Sequence, residues 1–160
     1  MLISKEYFVG ELYIEGAAGG AIPPATAQLI GIQLESTIQR REKEYLRMFL
    51  GNLYDEFILF LYAEDMDEAS PFYKLYEYFV DRLSPIAYYV YFHYVRSVNS
   101  SQTATGTYRD KSAVNSREKL VMAWNNMVDI NREIHEYLKV TFPQYYPKCN
   151  MLSYINTLGI

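Results

Sequence analysis

Residues 84–96 read SPIAYYVYFHYVR, and this stretch decides the fold. From Ile86 to Val95 every residue except His93 is apolar or aromatic. Ser84 is placed to cap a helix, and Pro85 suits the first helical position, where its missing N–H would have had no partner. A helix that is apolar on all sides has to be surrounded by other protein. The run is too short to cross a bilayer, which takes about 20 such residues. It therefore predicts the buried central helix of a small all-α domain.

Amphipathic helices flank it. Pro24 opens a long one, with Ile30, Leu34, Ile38, Tyr45, Leu46 and Phe49 on one face and Gln39, Arg40, Glu42, Lys43 and Arg47 on the other. Gly51 follows as a C-cap. Asn52 is placed to cap the next helix, 52–63, whose stripe is Leu53, Phe57, Phe60 and Leu61. After the acidic connector AEDMDEAS (63–70), Ser70 and Pro71 open a short helix to about Leu83, with Phe72, Leu75, Tyr76 and Phe79 inward. Ser116 is placed to cap a last long helix carrying Leu120, Ala123, Trp124, Met127, Ile134 and Leu138, which Pro143 ends. Trp124 reads as a core anchor. The expectation is about five helices in a compact bundle: an N-terminal arm at 1–23 with short extended pieces, a helical domain at 24–142 and an extended C-terminal tail at 143–160. The polar, Ser- and Thr-rich segment 99–115 forms a loop or finger, too long for a plain turn.

The totals narrow the function. The 160 residues suit one domain, and half are apolar, which favours a folded chain over a disordered one. A net charge of −4 with no basic block argues against a dedicated nucleic-acid binder. Cys149 is the only cysteine, so one chain offers no disulfide framework. The first residues, MLISKEYF, show neither a secretion signal nor a membrane anchor. Seventeen tyrosines exceed the usual share and fit either a core whose hydroxyls reach the surface or a partner interface.

Catalytic patterns are missing. His93 and His135 have Val90 and Arg132 three residues before them, so the Glu-x-x-His pair of di-iron bundles is absent. The 63–70 connector has too few alternating acids for a calcium loop, and it lacks the central glycine and closing glutamate. No G-x-S-x-G, phosphate loop or dinucleotide motif occurs. Glu35, Glu42 and Glu44, set among arginines and lysine, read as a solvated face. The expectation is a protein without catalysis, cofactor or metal.

Five stretches carry a resemblance: LISKEYFVGELYI (2–14), REKEYLRMFLGNLYDEF (41–57), IAYYVYFHYVRSVNSSQTATGT (86–107), KLVMAWNNMV (119–128) and SYINTLGI (153–160). Together they resemble the small head–tail connector, or adaptor, proteins of phages and prophages of Bacteroides-type bacteria. The sequence departs from that pattern in the AAGGA insert near its start and in the short acidic connector at 63–71. The resemblance implies a non-enzymatic virion protein at the head–tail junction, assembled in the host cytoplasm. It would bind the portal protein and neighbouring copies of itself in a ring, commonly twelve-fold, with a tail or head-closure protein below. DNA would pass the channel without specific binding, and no membrane is involved. The loop residues Gln102, Thr103, Thr105, Gly106, Thr107, Tyr108 and Arg109 are candidate partner contacts, as are the tail residues Met151, Leu152, Tyr154, Ile155, Leu158 and Ile160. Against this stand a loop that merely connects and a tail that packs on its own domain. The rival functions are a head-closure or tail-completion protein one layer lower, and a small cytoplasmic helical regulator binding a host protein.

Overall fold

Apolar side chains on every face of residues 86–95 need cover on every side, and the fold provides it. The computed structural model describes residues 1–14, 17, 24–99, 113–148 and 150–156. Within them the chain forms five α-helices and no strand: α1 (Pro24–Leu50), α2 (Tyr54–Leu61), α3 (Pro71–Val80), α4 (Pro85–Asn99) and α5 (Ala113–Thr141). The all-α expectation holds. Ile86 through Phe92 are all buried, with α4 packed chiefly between α5 and α1. Burying each large apolar side chain contributes about 1.5–3 kcal/mol, so this helix holds the core together. None of the described helices is long and apolar enough to cross a membrane.

Helix directions follow from side-chain pairings. Tyr89 packs on Tyr45, and Phe92, almost one turn further along α4, packs on Trp124 of α5. His93 feels the charge of Arg41, one turn back along α1. The Tyr45 hydroxyl donates to Asn131 of α5. Helix α4 therefore runs antiparallel to α1 and α5. The start of α1, the end of α4 and the start of α5 share one end of the bundle, while α2 follows from the other. Beneath α4, Tyr45 and Phe57 both meet Phe79 edge-on, with ring centroids 6.0 and 5.5 Å apart.

Several local expectations need correction. Ser70 caps α3 as read, its hydroxyl accepting from the Phe72 N–H. Ser84 stands just before α4, where its carbonyl accepts from the Tyr88 N–H at 3.2 Å. Its hydroxyl donates to the Phe79 carbonyl at 2.6 Å, tying the end of α3 to the start of α4. Helix α5 begins at Ala113, so Ser116 lies inside its first turn and the expected 99–115 loop loses residues at both ends to helix. Nothing in Ala113-Val114-Asn115 stops a helix from starting early. The N-terminal arm contains two 3-10 turns, Lys5–Tyr7 and Gly10–Leu12, instead of extended pieces. Ser4 accepts from the Glu6 N–H in the first, and Gly10 opens the second with a left-handed φ of 62°. The arm is part of the core, for Ile3, Phe8, Leu12 and Ile14 are buried.

Glu42 is also not on a solvated face. It is buried and accepts from the Leu2 and Ile3 amides at 2.9 and 3.2 Å, with the Met1 amino group 3.9 Å away. Burial pushes its carboxyl above the usual range, outweighing the amide bonds and the amino group, which act downward.

The end of α1 is closed from far along the chain. The last carbonyls of a helix lack intrahelical partners. Here Met48 receives the Lys148 N–H at 2.9 Å, and Phe49 receives the Tyr145 hydroxyl at 2.8 Å. Gly51 leaves the helix with φ 58°, as a C-cap glycine should. Asn52 does not cap α2. Its amide donates to the Gln144 carbonyl and accepts from the Tyr146 N–H, both at 2.8 Å, and a 3-10 turn (Gly51–Leu53) leads into α2.

Two predictions follow from these contacts. A Cβ at Gly51 would lie 1.8 Å from the Tyr146 carbonyl oxygen, on top of an unfavourable φ. Gly51→Ala should lower stability by about 2 kcal/mol or more in urea unfolding; an unchanged midpoint would refute the close approach. Glu42→Ala should cost about 1–3 kcal/mol by stranding two amides, whereas Glu42→Gln keeps an acceptor for them. A carboxyl raised in the folded state contributes stability below its unfolded pKa and loses it as pH rises through the folded one. The stability of Glu42→Gln relative to the unsubstituted chain should therefore grow from pH 4 to 7.

Candidate functional site

Tail residues 150–156 lie along α5, held mainly through their own backbone. Along α5, Asn131 Nδ2 donates to the Met151 carbonyl, Arg132 Nε to Leu152, and Trp124 Nε1 to Ser153, at 3.1, 3.1 and 3.0 Å. The Asn125 amide takes both sides of Ile155, accepting from its N–H at 3.0 Å and donating to its carbonyl at 3.1 Å. Met151 is buried, and Tyr154 lies under Arg132 with its hydroxyl donating to Asp129. Side chains that read backbone groups hold a segment whatever its sequence; the Met151 side chain supplies the register.

A cleft of about 360 Å³ opens beside this tail, between α1, α4 and α5. Phe92 and Trp124 form its aromatic wall, their rings 4.9 Å apart. Met48 and Tyr89 add apolar surface, Ile155 of the tail closes one side, and Glu44 and Arg96 stand in its lining. Glu44 is engaged from two directions, by Arg41 at 2.6 Å and the Tyr89 hydroxyl at 3.1 Å. His93 borders the cleft with its ring 4.4 Å from that of Tyr89. Burial first, and then the charge of Arg41, brings its pKa down to about 4, with Arg96 and Arg40 acting in the same direction and Glu44 against them. The imidazole is neutral at pH 7, and the cleft is apolar inside with arginines close by. Such a site suits an apolar side chain flanked by negative charge. A larger groove, about 500 Å³, lies between the arm and the turn after α3, lined by Tyr7, Val9, Leu83 and their neighbours. Glu11 in its lining is already engaged by the Tyr88 hydroxyl.

The structure brings Met151, Leu152, Tyr154 and Ile155 together on α5, in contact with their own domain. Leu158 and Ile160 lie outside the described residues, as do Gln102, Thr103, Thr105, Gly106, Thr107, Tyr108 and Arg109. Trp124, read as a core anchor, is only half-buried and serves as wall of the cleft and donor to the tail. The cleft itself was hidden in the sequence because its walls come from three helices and the tail. The one local hint was His93, the sole polar residue in an apolar run. Among the described residues, no group of three His, Cys, Asp or Glu side chains is arranged to hold a metal. Comparison with family models, curated proteins and solved structures finds no match to this chain.

His93 yields a pH prediction. A histidine depressed in the folded state opposes folding once the unfolded imidazole takes up protons, so stability should fall as pH drops from about 6.5 towards 4. His93→Gln should flatten that part of the profile, and the His93 ring signals in NMR should titrate near pH 4. A midpoint near 6.5 would mean that the ring is open to water.

Proposed function

We propose that this chain is a structural subunit of a phage head–tail junction, an adaptor that joins the portal to the tail as one member of a ring. The reading rests on the sequence resemblance, and one structural observation carries it further: large apolar side chains stand exposed as i, i+3 pairs at two separate places. Leu29 and Ile32, 63% and 58% exposed, project from the start of α1. Leu59 and Tyr62, 74% and 82% exposed, project from the end of α2. At 1.5 Å per residue, about 27 Å of α1 lies between Ile32 and the end from which the chain passes on to α2. Along the described helices, other large apolar side chains are exposed singly, whereas these two pairs set neighbouring apolar side chains together, as a contact site does. A subunit joined to unlike neighbours on different sides needs this arrangement, because head-to-tail and layer-to-layer contacts use different surfaces on each copy.

The end bearing Leu29 and Ile32 also carries the two helix ends that flank residues 100–112, and we assign it to the portal. The test is retention of the chain on assembled portal rings from the same genome. The unsubstituted chain should be retained, and the double variant Leu29→Asp, Ile32→Asp should lose at least tenfold in binding with its melting temperature unchanged, since neither side chain is in the core. A folded chain that portal rings do not retain would overturn the proposal.

A further inference from the structure

We infer that the cleft between α1, α4 and α5 receives the turn after α2 of a second copy of this chain. The inference rests on the reading of the chain as a ring subunit and names the two surfaces that would make the ring. Each has what the other lacks. The cleft offers an aromatic wall, Phe92 and Trp124, with Arg96 in its lining and Arg40 near enough to act on His93. Among the described residues neither arginine is paired with a carboxylate, the three ion pairs lying elsewhere. Arg96 instead sits over the Phe92 ring, 6.0 Å from its centroid.

The turn offers the converse. Leu59 and Tyr62 are its exposed apolar tip, and the next residues, Glu64, Asp65, Asp67 and Glu68, are exposed as well. An apolar tip followed at once by four carboxylates matches an apolar cleft beside two guanidinium groups that pair with no described carboxylate. Charge complementarity of this kind sets register and partner choice. Tyrosine and arginine are also the residue types most often found as binding anchors. The two surfaces lie on different parts of one subunit, so the contact is head-to-tail, the type that closes into rings. Self-pairing of two clefts or two turns would bring like charges together.

Charge reversal tests it without touching the core. Glu64→Lys with Asp65→Lys reverses the turn, and Arg40→Glu with Arg96→Glu reverses the cleft. Self-association is followed by sedimentation, free at high protein concentration and on portal rings. Each double variant alone should associate at least tenfold more weakly than the unsubstituted chain, and an equimolar mixture of the two should associate again, because each then meets its complement. A photo-crosslinking residue at position 62 should link to peptides containing Phe92 or Trp124 of another copy. Raising the salt should weaken the contact, since screening shortens to a few ångströms near 1 M.

Several results would overturn the inference. They are a chain that stays monomeric in both settings, reversals without effect, a mixture that fails to recover, or cross-links that fall elsewhere. Association that depends on residues 157–160 but ignores the charge reversals would also do so, giving the cleft to the chain's own end. Portal retention is read separately. A chain held by portal rings with no contact between copies would leave the proposed function standing and remove only this interface.

Discussion

The buried amide of Asn131 is the constraint on which much of the structure depends. Its Oδ1 accepts from the Tyr45 hydroxyl of α1, and its Nδ2 donates to the Met151 carbonyl of the tail. A polar side chain with no access to water has to find its partners inside the protein, or it costs about 1–3 kcal/mol for each group left bare. One residue of α5 thereby sets where α1 lies, at what height, and where the tail begins to dock. Tyr45 itself belongs to the aromatic cluster with Phe49, Phe79 and Tyr89, so the polar node and the apolar core fix each other.

The tyrosines extend the same logic to the surface. Tyr7 reaches the Val80 carbonyl, Tyr78 reaches Glu133, Tyr88 reaches Glu11, Tyr137 reaches the Pro71 carbonyl, and Tyr145 reaches the Phe49 carbonyl. Each ring fills apolar space between two elements, and each hydroxyl ends on a group of another element. Burial raises the pKa of Tyr78 and Tyr88 to about 12, with the bonded carboxylates adding to it, so both stay protonated donors in neutral solution. The two sequence readings of the tyrosine excess, core and interface, meet here, because most of these rings bind the bundle to itself. Tyr13, Tyr62, Tyr146 and Tyr154 are the exposed exceptions among the described residues.

This division of labour shapes what the protein can do. The buried polar side chains of Glu42, Ser84 and Asn131 all go into internal ties, and the cleft beside the tail has an aromatic wall, a neutral histidine and nearby arginines. The arrangement suits docking by contact and charge. The exposed apolar pairs on α1 and at the end of α2 stand at separate places on the bundle.

Helix placement was legible in the sequence because its signals are local. Apolar spacing marked the buried face of α1, the Ser70-Pro71 pair marked the start of α3, Gly51 marked the end of α1, and the apolar run at 86–95, broken only by His93, marked the centre. What only the tertiary structure decided was where polar side chains spend their hydrogen bonds. Glu42 looked like one charge among many on an exposed face, yet its partners are the amides of Leu2 and Ile3, some 40 residues away. Asn52 looked like a cap for α2 and instead bonds the chain at 144–146. Asn131 carried no local signal, since its partners, Tyr45 and Met151, come from 86 residues before it and 20 after. Periodicity and capping depend on neighbours within a few residues. A buried polar group takes whichever partner the packed chain brings to it, and that is settled only when the helices meet.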